Sequence, residues 1–158
     1  MISPDVNVLI YAFREDSDRH AAFKRWLENA LNGAEPVLLF EPVLCAVLRI
    51  ATHPAVFKPP APRANAERFI DILITAPASV RTRPTDEHWP RFRSICQLAD
   101  CRGNLIQDAY FAAMALEHGA TWVTTDRDYA RFPGLTWMHP LDHAVPLRNP
   151  SAPNRKQS

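Results

Sequence analysis

Glycine is scarce in this 158-residue chain: there are four, at Gly33, Gly103, Gly119 and Gly134. Average usage gives about eleven. No two stand at the spacing of a G-x-G-x-x-G or Walker loop, so the sequence argues against a phosphate cradle built on glycine backbone. Cysteine is scarcer. Cys45, Cys96 and Cys101 form no C-x-x-C pair, and their odd number argues against a disulfide framework. Cys45 lies in an apolar run and is expected in the core. Lysine is nearly missing, with Lys24, Lys58 and Lys156 alone among 18 basic residues. No apolar stretch is long enough to span a membrane. The opening MISPDVNVLIYAF carries Asp5 and no basic start, unlike a signal peptide. A cytoplasmic protein without membrane contact is expected.

Proline is in excess, with 15 residues where average usage gives about eight. Four of them fall in PAVFKPPAPR (54–63), which reads as a stiff loop. A high-GC genome produces the same Arg, Pro and Ala bias. The length suits one globular domain with a sizeable core. The net charge of +1 conceals an uneven distribution. Residues 1–48 hold seven acids and four bases, residues 49–105 five acids and nine bases, and residues 106–158 five of each. A basic middle containing Arg49, Arg81 and Arg83 suits a polyanion, or equally a set of solvated helix faces.

Apolar runs and helical spacing alternate along the chain. Strands are expected at Ile2–Asp5, 36–40, 77–82 and 120–125, with a short one around Trp137. Helices are expected over 6–13, 20–31, 41–51, 64–74, 87–98 and about 105–118. Asp18 is expected to cap the second helix. Asn104 with Gln107 forms a capping-box-like start for the last, and Gly119 closes it. This order implies an α/β domain over residues 1–143, a parallel sheet covered on both sides by helices. Residues 144–158 read as a flexible tail.

Four acids stand in apolar surroundings. Asp5, Glu41 and Asp126 follow strands, at the sheet edge where such domains carry their sites. Asp108 lies in the first turn of the last helix, with the small Ala112 and Ala115 beneath it. Gathering carboxylates at a buried edge is costly, because like charge and desolvation both disfavour ionisation. A divalent cation removes the conflict, and oxygen ligands without histidine or thiolate suit Mg²⁺ or Mn²⁺ rather than zinc. Asn7 and Asp128 would add oxygens, directly or through water. Helix capping is the competing explanation for each acid taken singly, above all Asp5 and Asp126. An acidic Mg²⁺ site near arginine suits phosphodiester hydrolysis.

These residues carry a resemblance. PDVNVLIYAF, FEPVLCAVLRIATHPAVF (40–57) and GNLIQDAYFAAMALEHGATWVTTDRDYARFPGLTWMHPL (103–141) resemble the PIN-domain ribonucleases, specifically VapC-type toxins of type II toxin–antitoxin modules. The resemblance spans about residues 2–141. It implies a PIN-like three-layer fold with a central parallel sheet, and a Mg²⁺-dependent endoribonuclease of cellular RNA. It implies that Asp5, Glu41, Asp108 and Asp126 are catalytic, with Asp5, Asp108 and Asp126 holding metal and Glu41 and Asp128 as further ligands. Thr125 would hydrogen-bond a ligand carboxylate, and Arg49, which with Thr52 matches an LR-x-x-T stretch, would contact phosphate or brace its helix. A cognate VapB-type antitoxin and a homodimer are the implied partners. Two other readings stand beside this one: a catalytically silent PIN scaffold that binds RNA or protein, and an aspartyl-nucleophile phosphatase, which wants a lysine near the phosphate.

Overall fold

The first strand is three residues long and turns at once into a helix. β1 (Ile2–Pro4) leads to α1 (Val6–Phe13), then α2 (His20–Leu31), β2 (Val37–Phe40), α3 (Glu41–Ala51), α4 (Arg63–Thr75) and β3 (Ser79–Thr82). α5 (His88–Leu98), α6 (Leu105–Glu117), β4 (Thr121–Val123), a 3-10 helix (Arg127–Arg131), β5 (Thr136–Met138) and β6 (Leu147–Arg148) complete the order. The computed structural model describes residues 1–142 and 146–152.

The sheet runs β3-β2-β1-β4-β5-β6. Its first five strands are parallel and β6 pairs antiparallel to β5. The expected α/β architecture is present. The chain moves outward from β1 to β3 and then returns to β4 on the other side of β1. The carboxyl ends of β1 and β4 therefore flank the switch point, where an open parallel sheet leaves a crevice.

β1 is central yet contains Pro4, which has no N–H for a ladder bond. The neighbouring Ser3 compensates. Ile2 N–H reaches Pro36 O at 3.1 Å, and the buried Ser3 hydroxyl donates to Leu38 O at 2.8 Å, the carbonyl a residue-4 amide would otherwise meet. α1 is apolar almost throughout, and Val6, Val8, Leu9, Ile10 and Ala12 are buried. In α6 four buried alanines, Ala109, Ala112, Ala113 and Ala115, let the helix sit close on β4. Pro42 lies in the first turn of α3, where its missing N–H leaves no bond unmade.

Four expectations fail. Asp18 does not cap α2, since Arg19 occupies that position without a side-chain bond. Asn104 has helical backbone angles (φ −62°, ψ −29°), not the extended ones a capping side chain needs. Cys45 is exposed: the inward face of α3 runs through Val43, Leu44, Ala46 and Val47, and turns residue 45 outward. The tail is not free over 146–152. Leu147–Arg148 extends the sheet, and buried Asn149 donates to Tyr129 O at 2.8 Å and Phe132 O at 2.7 Å. Its Oδ1 accepts from Trp137 Nε1 at 3.1 Å. The remaining tail residues named in that expectation, 144–145 and 153–158, lie outside the described residues.

Candidate active site

Asp5 ends β1 in extended backbone (φ −71°, ψ 161°) and caps α1, its Oδ1 accepting from Val6 N at 2.6 Å. The register of β1 on β4 places Pro4 beside Val123, so the next residues, Asp5 and Thr124, come together. Asp5 Oδ2 accepts from Thr124 Oγ1 at 2.6 Å and from Asn7 Nδ2 at 2.9 Å. Thr124 Oγ1 in turn accepts from Asp126 N at 3.0 Å and from Asn7 Nδ2 at 3.1 Å. One hydroxyl thus joins the ends of two strands.

Capping and site-building are not alternatives at Asp5, because one carboxylate does both. The same holds at Asp126, which caps the 3-10 helix by accepting from Asp128 N at 2.8 Å. Burial, with the charges of Asp108 and Asp126 adding to it, pushes Asp5 up to about 7 against the hydrogen bonds from Thr124 and Val6. Burial also raises Asp108, to about 6, with the charges of Asp126 and Asp128 adding to it.

A cavity of about 540 Å³ opens over these groups, and Asp5, Asn7, Asp108 and Asp126 line it together with Arg49 and Gln107. Three of the four expected acids therefore share one space. Glu41 is not among its lining residues. It is the first residue of α3, and its carboxylate meets Arg83 Nε at 2.9 Å and Arg81 Nε at 3.9 Å. β2 and β3 run in register, with Phe40 beside Thr82, so the next positions bring Glu41 to Arg83 on the side of β2 away from β1. Asp128 is exposed and pairs with Arg131 at 3.5 Å, outside the cavity lining.

Two supporting assignments change. The hydroxyl on the Asp5 carboxylate belongs to Thr124, not Thr125, whose backbone N–H donates to Asn7 Oδ1 at 3.3 Å. Asn7 therefore spends its oxygen on the backbone and its amide on Asp5, and positions that acid instead of offering an oxygen ligand. Arg49 is exposed at the cavity rim, while the Thr52 hydroxyl donates to Leu48 O at 2.8 Å and closes α3. Tyr129, beneath the acids, was not singled out in the sequence. It is 1% exposed, and its hydroxyl favours the ionised form of Asp108 by hydrogen bonding. Burial, reinforced by Asp5, Asp108 and Asp126, holds its pKa well above 10.

The donor set tests well for a hard divalent cation. It is all oxygen, and two of its members resist ionisation until positive charge arrives. Among the described residues, no three His, Cys, Asp or Glu side chains already converge on one point. Ordered water would complete the shell, as is usual for Mg²⁺. No helix among the described residues is long and apolar enough to cross a membrane.

Comparison with known proteins agrees with this architecture. The family model for the PIN domain matches residues 2–135. Ribonuclease VapC43 of Mycobacterium tuberculosis is 44% identical over 142 residues, covering 90% of this chain and 97% of its own. Ribonuclease VapC25 of the same organism is 35% identical over 136 residues, covering 86% of this chain and 96% of its own. Among solved structures, VapBC-1 from nontypeable Haemophilus influenzae superposes with a TM-score of 0.65 at 14% identity, covering 90% of this chain and all of that one. M. tuberculosis VapC20, described as a sarcin-ricin loop cleaving toxin, gives a TM-score of 0.61 at 13% identity over 82% of this chain and 93% of its own. These last two likenesses concern the fold. With a family match over most of its length and close relatives of nearly equal extent, the chain belongs to the PIN-domain family, among its VapC-type ribonuclease toxins.

Proposed function

We propose that this chain is a metal-dependent endoribonuclease that cuts cellular RNA as a toxin and is neutralised by a VapB-type antitoxin. The observation that carries the reading is the meeting of Asp5, Asp108 and Asp126 in one cavity, with Asp5 and Asp108 pushed up to about 7 and 6. The VapC ribonucleases among its relatives support the chemistry, and the VapBC assemblies among its structural neighbours support the partner. Action as a homodimer is part of the same proposal.

Asp5, Asp108 and Asp126 would hold Mg²⁺, or Mn²⁺ in its place. When bound, the ion supplies charge to a phosphoryl oxygen and lowers the pKa of an attacking water. The protein's own contribution is orientation. Val6, Asn7 and Thr124 hold both oxygens of Asp5 and take two acceptor positions on Oδ2 and one on Oδ1, which leaves Oδ1 to face an ion. Asn7 and Thr124 together hold the loop of Asp126 against the end of β1. Arg49 at the rim gives a guanidinium to the RNA phosphate. Glu41, tied to Arg83, takes part only from outside the cavity, and Asp128 acts on Asp108 through its charge.

The phosphatase reading is disfavoured, since among the described residues no lysine lines the cavity. Incubating the purified protein with RNA, with Mg²⁺ and then with chelator, tests the proposal. Cleavage that chelator stops and Asp126→Asn loses supports it; cleavage indifferent to both removes it.

A further inference from the structure

We propose that the part of the cavity away from the carboxylates is a nucleobase subsite, with Phe57 as the stacking face for a base next to the bond that is cut. This rests on the ribonuclease reading above and deepens it. From Asp5, Asp108 and Asp126 the cavity continues past Ile10 and Tyr11 of α1 and Ile50 of α3 to Val56 and Phe57 of the proline-rich segment. A metal site needs the acids and water. It has no use for an apolar and aromatic extension within a volume of about 540 Å³.

Phe57 sits in a loop, yet it is held. The Arg14 guanidinium lies 4.2 Å from its ring centroid, over the ring face. Arg14 is fixed in turn by Asp16, through Nε to Oδ1 at 2.8 Å and through Nη2 to Oδ2, and by Pro59 O at 3.3 Å. Its side chain is only 11% exposed. Two contacts thus pin the 54–63 segment to the end of α1, the stacked guanidinium and its bond to Pro59 O, and hold an aromatic ring at the cavity wall before any ligand arrives. Beside it Val56 is 53% exposed, an apolar lip on a loop.

Charge and connectivity favour RNA as the occupant. Arg49, exposed in this cavity, suits a phosphate backbone, while Arg14 is neutralised by Asp16 and braces the ring; Asp5, Asp108 and Asp126 suit the metal. A phosphate seated over those acids carries its own nucleoside into the space continuous with them. Proteins read single-stranded RNA by splaying bases onto aromatic side chains and guanidinium planes, the two groups stacked here. An apolar protein segment is the other candidate for such a wall, and the test below separates the two.

The test uses the full chain loaded with Mg²⁺ and a randomised single-stranded RNA library, with the cut products sequenced. Phe57→Leu keeps apolar bulk without a ring, and Phe57→Tyr keeps the ring. Loss of one base stack predicts that Phe57→Leu raises KM by about fivefold or more and flattens the preference at the nucleotide beside the cut, while Phe57→Tyr restores most of both. A second measurement leaves the protein untouched. RNA with an abasic ribose at that nucleotide should lose as much on the wild type, and lose no more on Phe57→Leu. Wild-type KM and preference in Phe57→Leu overturn the subsite, as does an abasic RNA cut like its parent. If Phe57→Leu instead loses only antitoxin binding, the wall belongs to the antitoxin and the subsite falls. A wild type that cuts no RNA in the library fails the ribonuclease reading itself.

Discussion

The Thr124 hydroxyl donates to Asp5 Oδ2 at 2.6 Å, although the two residues are 119 positions apart. The bond exists because β1 and β4 are adjacent parallel strands that end together. It lowers the pKa of Asp5 against the effect of burial, and the same oxygen accepts the Asp126 amide. Thr124→Val should therefore do two things. It leaves a buried carboxylate and an amide short of a partner, for a cost of about 1–3 kcal/mol. It also raises the Mg²⁺ concentration needed for half-maximal cleavage. Thr124→Ser should preserve both properties, which thermal unfolding and metal titration of the two variants would check.

The pH dependence has a definite sign. Asp5 and Asp108, at about 7 and 6, keep protons in the folded chain that the unfolded chain has lost above the ordinary value of 3.8. The stability they contribute is present at low pH and lost as pH rises through 6 to 7. Metal-free wild type should lose melting temperature relative to Asp5→Asn between pH 5 and pH 8, and saturating Mg²⁺ should remove the difference in slope. Metal affinity should rise over the same range with proton release, measurable by calorimetry in two buffers.

Glu41 separates this structure from a simple four-acid site. Held by Arg83 and 36% exposed, it neither lines the cavity nor contributes a raised charge to Asp5 or Asp108. Glu41→Gln should change stability by less than about 1 kcal/mol. It should retain measurable cleavage under conditions where Asp126→Asn has none. Equal loss of cleavage in the two variants would show that Glu41 leaves Arg83 and joins the site when RNA or metal binds.

Asn149 predicts the cost of the C-terminal segment. It satisfies Tyr129 O and Phe132 O and accepts from Trp137, all buried. Asn149→Ala should destabilise the fold by at least about 1–3 kcal/mol, since several buried groups lose their partner at once. It should also weaken metal binding, because the 3-10 helix it holds is capped by Asp126. Denaturant unfolding and metal titration would measure the two effects.

Much of this was legible in the residues. Apolar runs and helical spacing located the strands and helices because the inner strands are buried on both faces, as the wholly buried β2 shows. Asp5, Asp108 and Asp126 stood out as charges where burial makes charge expensive. What escaped depended on neighbours remote in sequence. Glu41 is drawn off by an arginine that only the strand order places beside it. The choice between Thr124 and Thr125 turns on the phase of a strand as it ends. Asn149 sits in a proline-rich stretch that reads as disordered, and nothing local announces that a 3-10 helix 20 residues earlier needs its amide.

The central claim is that three aspartates of this chain hold a divalent ion that serves RNA cleavage. Titrating Mn²⁺ into the chelator-treated protein and following the free ion by its paramagnetic resonance tests it without relying on activity. Wild type should bind the ion, and Asp5→Asn and Asp126→Asn, still folded, should each lose that binding together with RNA cleavage. Cleavage by wild type without bound ion, or unchanged Mn²⁺ binding in both variants, would contradict it.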